Sequence, residues 1–411
     1  MQLTNFSQWP NFTNDEVLSI TDVILSNKVN YWTGVECREF EHEFALWSGS
    51  KYAITLANGT LALELALKAL DIGPGDQVIV SPRTFIASIS CVIAVRATPV
   101  FADVDLESGN MTAQTIARVL TNKTKAVICV HLAGWPCDMD PILDLAKTHR
   151  LKVIEDCAQA HGARYKGRSV GSIGDIGAWS FCQDKIMTTG GEGGMVTTDD
   201  MALWSKMWSY KDHGKNYQAV YQKEHPPGFR WLHESFGSNY RMIEIQGAIG
   251  RIQLKKMAEW TRLRNVNAQA LQSVAQEFSG KDGLVRAPKF RCGSCSAPIS
   301  EQCSQGCMHA QYKVYFYIQP ENLAEGWSRD RIIEEINRRG IPCYQGSCSE
   351  VYLEKAFDGT GFRPKESLPN AKQLGDTSIM FLVHPTLTNE EIQLTQSAMR
   401  EVFYLGSKAT V

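Results

Sequence analysis

The strongest constraint on what this chain can fold into is an alternation that begins near residue 51, where short β-branched runs give way repeatedly to longer helical patterns. Runs at 52–56, 77–81, 99–103, 125–131, 151–155, 176–181 and 194–198 read as strands, and patterns at 60–70, 87–95 and 141–149 read as helices between them. Strands that alternate with helices pack as βαβ units, so the expectation is an α/β fold with a mostly parallel, seven-stranded sheet. Chemistry in such sheets gathers just past the carboxyl ends of the strands. The segments to inspect are therefore 57–60, 81–85, 131–135, 156–159 and 182–194.

After Tyr240 a helical pattern sets Ile245, Ala248, Ile249, Ile252 and Met257 on one face and runs to about Phe278, as a bridge to a second domain. At 411 residues the chain exceeds what one core supports, about 250–300 residues. The division expected is a large domain at 1–255, including an N-terminal segment, and a smaller α+β domain at 256–411. The latter reads as a strand at 313–318, a helix at 329–339, a loop rich in Gly, Ser and Cys at 340–349, and a closing helix at 389–405.

The densest local signal runs from Ser180 to Gly194: Phe181 ends a strand, Lys185 follows alone, and Gly190, Gly191, Gly193 and Gly194 close the segment. Glycines at that density allow backbone conformations closed to other residues and close approach to a ligand. A lysine held there and partly desolvated can lose its proton and form a Schiff base; a surface lysine beside a flexible turn is the other reading. Upstream, the strand at 151–155 ends in Asp156-Cys157-Ala158-Gln159-Ala160-His161-Gly162. A carboxylate at a strand end near a reactive lysine is what a pyridoxal phosphate ring needs to keep its nitrogen protonated, and Gln159 could hydrogen-bond the ring hydroxyl. Asp156 as a plain helix cap fits the same sequence. Asn58-Gly59-Thr60 joins a β run to an amphipathic helix, where backbone amides and a hydroxyl make a phosphate site, and Ser180 could add a second hydroxyl. Phe85 stands just past another strand, where it could stack on a planar ring or simply fill the core.

Composition narrows the classes of function. Lys and Arg number 42 against 44 Asp and Glu, a net charge of -2, which steers the chain toward neither nucleic acid nor an anionic membrane. The most apolar stretch, 89–101, is broken by Arg96, Thr98 and Pro99 and is too short to span a bilayer. The N-terminus has no basic n-region and carries Asp15 and Glu16 where a signal peptide would be apolar, so a cytoplasmic protein is expected. Most of the 12 cysteines lie singly in apolar segments and read as small hydrophobes rather than a disulfide framework.

Together these residues resemble the pyridoxal-phosphate-dependent nucleotide-sugar aminotransferases, the DegT or StrS family, which have the aspartate-aminotransferase type I fold. The resemblance runs from Tyr31-Trp32-Thr33-Gly34 to Leu382-Val383-His384-Pro385. It is most specific from Glu155 to Gly162, from Ser180 to Gly194, and at Asn239-Tyr240-Arg241-Met242 followed by Glu244. It implies a large domain that binds pyridoxal 5′-phosphate (PLP), with Lys185 as Schiff-base lysine and proton shuttle, Asp156 as pyridinium partner, Gln159 at the ring hydroxyl and Phe85 stacked on the ring. Gly59, Thr60 and Ser180 would hold the phosphate, joined by Asn239 from the other subunit of an obligate homodimer. His161 and His131 would support these residues from behind.

The activity implied is ping-pong transfer of an amino group from L-glutamate to a keto carbon of a UDP- or dTDP-linked sugar, C4 before C3, for O-antigen or other glycan synthesis. Related sugar 3-dehydratases carry His at the lysine position, so Lys185 sets this chain with the transaminating branch. A PLP-dependent dehydratase or isomerase, and a non-catalytic PLP-binding regulator, are the alternatives. Two positions depart from the family pattern: Arg83 replaces an aromatic or small residue, and Trp135 a frequent Gln. The nucleotide would be read by loops at 211–231 and 343–350, with His213, Lys215, Tyr217, Arg230 and Trp231 as basic and aromatic candidates.

One feature lies outside that pattern. Cys292-X2-Cys295 and Cys303-X3-Cys307, with His309 close behind, have a spacing that suits zinc held by thiolates. The gap of seven residues between the pairs is shorter than common zinc modules use, so a loop of thiols stands ahead of it and no metal ligand is assigned. Cys343 and Cys348 read as packing or loop residues.

Overall fold

The computed structural model describes residues 6–289, 292 and 303–408. Its strands in chain order begin with β1 (Tyr52–Leu56), β2 (Gln77–Val80), β3 (Thr98–Phe101), β4 (Thr124–Val130) and β5 (Lys152–Asp156). A small hairpin of β6 (Arg164–Tyr165) and β7 (Arg168–Ser169) precedes β8 (Ile176–Ser180) and β9 (Gly194–Thr198). Seven of these form one sheet in the order β1-β9-β8-β5-β4-β2-β3. The pairs β2–β3, β2–β4, β4–β5 and β5–β8 are parallel, and β9 runs antiparallel to both neighbours. The mostly parallel sheet is thus as expected. Its exception has a plain cause: residues 181–193 join β8 to β9 without a crossover helix, so the chain doubles back as a hairpin.

Central strands of a sheet covered on both faces read as continuous apolar runs, and β8 and β9 are buried at every residue. Leu63, Ile79, Ile128, Ile154 and Trp179 are among the side chains that fill the layers on either side. Helix Gly59–Ala69 starts where Asn58 Oδ1 accepts the Leu61 N–H at 3.0 Å, a cap worth about 1 kcal/mol. Two N-terminal helices, Asn14–Leu25 and Glu36–Ser48, were not among the expected elements.

The second sheet, antiparallel, contains β10 (Val285–Arg286), β11 (Val314–Ile318), β12 (Cys343–Tyr344) and β13 (Ser378–Phe381) in the order β10-β11-β13-β12. With helices Arg329–Arg338 and Asn389–Gly406 it encloses a separate core that includes Leu271, Phe316, Ile336, Phe381 and Phe403. Helix Glu244–Glu277, about 51 Å long, runs unbroken through positions 255 and 256 and packs on Glu36–Ser48 as well as on Asn389–Gly406. Near the N-terminus, Ser7 N–H reaches Glu391 Oε1 at 2.6 Å and Thr386 Oγ1 donates to Gln8 O at 2.9 Å, so this segment is tied to the second core. Among the described residues no helix is long and apolar enough to cross a membrane.

Candidate active site

The loop between β8 and β9 is fixed at both margins. Phe181 N–H donates to Gly193 O (2.8 Å), Gln183 N–H to Gly191 O (2.9 Å), and Thr188 Oγ1 to Phe181 O (2.9 Å). Gly190 and Gly191 lie at φ +90° and +121°, which L side chains rarely adopt, and this explains the glycine density. Ile186 and Met187 are fully buried, so Lys185 stands on a rigid support with its own side chain 17% exposed. Lys185 Nζ lies 3.6 Å from Asp184 Oδ1 and 5.3 Å from the centre of the Tyr312 ring, whose hydroxyl donates to Asp184. Trp9 Nε1 donates to the Lys185 carbonyl at 2.7 Å.

Asp156, the last residue of β5, is buried. Its Oδ2 accepts from Ser88 Oγ at 2.8 Å and its Oδ1 from Ala158 N–H at 3.2 Å. Burial raises the carboxyl's pKa; Ser88, the Ala158 amide and the Lys185 charge pull the other way without offsetting it. Among the described residues this carboxylate makes no ion pair. Ser88 N–H in turn donates to the Phe85 carbonyl at 3.2 Å, which sets Phe85, 69% exposed, one turn from the Asp156 contact.

Behind Asp156 the preceding carboxylate is saturated. Glu155 accepts the N–H groups of Gly171 (2.9 Å), Ile173 (2.8 Å) and Gly174 (2.7 Å), and meets His131 Nε2 at 3.0 Å. Burial alone would raise its pKa, but the His131 contact and the amides hold it below the usual carboxylate range. His131 Nδ1 accepts Cys137 N–H at 3.0 Å, so its proton sits on Nε2. His131 N–H also donates to the Asp156 carbonyl at 3.2 Å, so the His131–Glu155 pair braces the ends of β4 and β5. His161 packs on Trp179 (5.2 Å) and Phe181 (5.6 Å), and its ring nitrogens find no partner among the described residues. Burial, then the charges of Lys185 and Arg264, depress its pKa to about 3, which keeps it neutral.

The helix start at Gly59 and the end of β8 lie against each other. A Cβ on Gly59 would stand 2.6 Å from Ser180 Cβ. Gly194, in register with both Leu56 and Ser180, could not carry one without meeting Asn58 O at 2.3 Å. Thr60 is exposed on the first helical turn beside this contact. Gln159 Oε1 accepts Ala133 N–H at 2.8 Å, which leaves its NH2 as the end able to meet a ligand. Asn239 is exposed and accepts the Arg241 N–H at 3.4 Å, while the next carbonyl, of Tyr240, binds Ala57 N–H at 2.9 Å.

Sequence reasoning missed two interior-facing cations, the buried Arg264 and the half-buried Lys313. Arg264, on the long helix and only 2% exposed, stands 4.9 Å from the Trp9 ring, and its Nη1 reaches the carbonyls of Gln311 and Tyr312 only at 3.4 Å. Its Nε and Nη2 have no hydrogen-bond partner among the described residues, and burial lowers its pKa to about 9. Burial and then the Arg264 charge take Lys313 down to about 8, with Lys185 adding to the shift and Asp184 opposing it. Nothing local marked Arg264, which falls in what reads as a charged, solvated stretch. The two departures from the family pattern are interior residues. Arg83 is fully buried, donates from Nη1 to Tyr317 OH at 2.7 Å and lies over the Tyr315 and Tyr317 rings; Trp135 is buried against His309. Of the loop candidates, Tyr217 packs 5.0 Å from both Trp204 and Trp208, and Lys215 sits over the Trp32 ring at 3.8 Å, whereas Arg230 and Trp231 are exposed.

The model of the DegT/DnrJ/EryC1/StrS aminotransferase family matches residues 10–400. The chain belongs to that family. An aminotransferase of known structure from Psychrobacter cryohalolentis is 62% identical, with a TM-score of 0.93 over 97% of this chain and 98% of that one. GDP-perosamine synthase of Escherichia coli O157:H7 is 46% identical over 232 residues, 56% of this chain and 59% of that enzyme. A UDP-N-acetyl-3-dehydro-alpha-D-glucosamine 3-aminotransferase of Acidithiobacillus ferrooxidans is 44% identical over 246 residues, 60% of this chain and 63% of that one. The aligned stretches thus span about six-tenths of those two enzymes. The enzyme is a transaminase and its cofactor is PLP. Its residues fit that group: Asp156 is a buried carboxylate with no ion pair among the described residues, Phe85 an exposed ring nearby, and Gly59 a point where a Cβ would displace Ser180.

Proposed function

We propose that this aminotransferase moves an amino group from L-glutamate to C4 of a UDP- or dTDP-linked keto sugar in O-antigen or other glycan synthesis, working as a cytoplasmic homodimer. The observation that carries the reading is Lys185 on a loop held at both margins just past β8, the strand that pairs in parallel with β5 where the buried Asp156 stands. When bound, PLP supplies an electron-accepting ring that stores the amino group between the two half-reactions. Asp156 holds a proton on the ring nitrogen, Gln159 meets the ring hydroxyl, and Phe85 covers a face of the ring. Gly59, Thr60 and Ser180 hold the phosphate at the helix N-terminus, with Asn239 arriving from the second subunit. Lys185 Nζ carries the proton from the α-carbon of the donor. Exposed Phe229, Trp231 and Phe236 on the segment that leads to Asn239 support a surface covered by a second copy.

The test is release of 2-oxoglutarate from L-glutamate in the presence of 4-keto UDP- or dTDP-sugars, with the aminated carbon located by NMR. Amination at C3, suggested by the 3-aminotransferase relative, or turnover only with a GDP-sugar, as for the perosamine relative, replaces that part of the reading. Absence of 2-oxoglutarate with every keto sugar overturns it.

Two expected results arise here. Gly59→Ala forces the new methyl onto Ser180 and should weaken PLP binding about tenfold or more, roughly 1.4 kcal/mol. Titration of the apoenzyme with PLP reads this directly, and unchanged affinity would remove Gly59 from the phosphate site. The second concerns the donor carboxylates, for which Arg264, with its unpaired N–H groups, and Lys313 are the waiting cations. Lys313 is charged below about pH 8 and loses its charge above it, so KM for L-glutamate should rise through that region. Lys313→Arg should move the rise to higher pH while kcat changes less. A KM that stays flat from pH 6.5 to about 9.5 would take Lys313 out of donor binding.

A further inference from the structure

Two clusters of potential metal ligands stand out among the described residues: His131 with Glu155 and Cys157, and Cys292 with Cys303 and Cys307. The first is already consumed. Every oxygen of Glu155 is engaged by backbone amides or His131, and His131 Nδ1 is taken by Cys137 N–H. The second is different in kind. Its three sulfurs all lie within 4.8 Å of one another, with Cys292 Sγ and Cys303 Sγ 3.4 Å apart. That is far beyond a disulfide bond of about 2.05 Å. It is near the spacing of about 3.8 Å that tetrahedral zinc imposes on sulfurs each about 2.3 Å from the metal.

The backbone is built to hold this convergence. Gly306 N–H donates to Cys303 O at 2.8 Å, and Gly306 adopts φ +76°, so a tight turn folds Cys307 back beside Cys303. Lys166 N–H, from the turn of the β6–β7 hairpin, points at Cys307 Sγ at 3.2 Å. An amide aimed at a sulfur stabilises a thiolate and is the usual outer contact of a metal-bound cysteine. The hairpin and the turn are further joined by Gly167 N–H to Gly306 O (3.1 Å), and by paired bonds between Arg164 and Met308 (3.0 and 2.8 Å). Cys292 and Cys307 are buried against Trp135 and Tyr165 in one apolar cluster, which shelters the sulfurs from oxidants.

We propose that Cys292, Cys303 and Cys307 are ligands of a structural zinc ion, independent of the transaminase reaction. Binding releases the thiol protons and changes no oxidation state: three S–H bonds give way to three zinc–sulfur bonds, and a tetrahedral ion takes one further ligand. Cys295, the remaining cysteine of the sequence motif, lies outside the described residues. The role of the ion follows from what the turn leads into. Ala310 N–H and Tyr312 N–H donate to Gly134 O (2.9 Å) and Ala133 O (3.0 Å), and Tyr312 lies under Lys185. The zinc clamp therefore fixes the start of the segment that lines the Lys185 side of the active site.

The test uses the full-length holoenzyme purified under reducing conditions. Elemental analysis should find about one zinc per chain, and replacement by cobalt should give a thiolate-to-cobalt charge-transfer band in the near ultraviolet. Cys303→Ser should lose most of the metal and the band, whereas Cys348→Ser, an exposed thiol in another loop, should keep both. Removal of the ion by a chelator should lower the melting temperature of the wild type. If the serine variants do not fold, the cobalt spectrum and chelator titration of the wild type still decide. A wild-type protein that binds neither zinc nor cobalt, or that carries a Cys292–Cys303 disulfide by mass spectrometry, overturns the proposal.

Discussion

Lys185→Ala should yield a folded chain that has lost at least ~10⁴-fold of its turnover, since the variant removes both the covalent attachment point and the proton carrier. The fold is expected to survive because the amine supports nothing else: its near neighbours are Asp184 at 3.6 Å and the Tyr312 ring at 5.3 Å. Loop 181–193 is held instead by backbone bonds and by the buried Ile186 and Met187, none of which depends on the lysine side chain. A change of less than about 1 kcal/mol in stability follows. The check is a pair of measurements on one preparation: 2-oxoglutarate release from L-glutamate, and thermal melting. The visible spectrum adds a third readout, since glutamate should convert the wild type to the pyridoxamine form and should not so convert the variant. Turnover within about tenfold of wild type would show that Lys185 is not the group that moves the proton.

Most of the site residues singled out from the sequence share one property, which Asn239 lacks: each stands at a strand end or a few positions past it. Asp156 closes β5, Ser180 closes β8, and Gly59 begins the helix after β1, so local pattern was enough to place them. The same logic found all seven strands of the large sheet within one or two residues, because runs such as Val127 to Val130 are buried throughout and end in polar residues. Arg264 and Lys313 were illegible for the opposite reason. Their shielding from solvent depends on contacts with Trp9 and Tyr312, and for Arg264 these lie far away in sequence, outside any local window. The second sheet itself was half seen: β11 is long and aromatic, whereas β10 and β12 are two residues each and exist only through their pairing. Helix Glu36–Ser48 was a missed signal rather than an absent one, since Cys37, Phe40, Phe44 and Ser48 recur at helical spacing and are all buried. The cysteine motif gave spacing but not convergence; that required the β6–β7 hairpin, which is remote from the motif in sequence.

Asp156→Asn should separate the two costs and benefits of that carboxylate. Its folded pKa lies above the ordinary value of about 3.9, because burial outweighs the help from Ser88, Ala158 and Lys185. Between those two values the folded apoenzyme binds more protons than the unfolded chain, so this group makes stability fall as pH rises through the window. At neutral pH the buried charge is then a net cost, and the Asn variant, which still offers an oxygen to Ser88, should be as stable as the wild-type apoenzyme or more so. The holoenzyme reverses the order. A neutral amide holds no proton on the ring nitrogen, so kcat should fall by ~10²–10⁴, the range for a group that sets protonation during reaction. Melting curves of both apoenzymes from about pH 4 to 8, beside steady-state turnover, read the two effects separately. An Asn apoenzyme that melts well below wild type at pH 7 would mean that the carboxylate stabilises the empty fold. Unchanged turnover would mean that Asp156 does not face the cofactor nitrogen. The gain without PLP and the loss with it have a single origin: a charge buried at the end of β5 with no ion pair among the described residues, which a protonated ring nitrogen would complement.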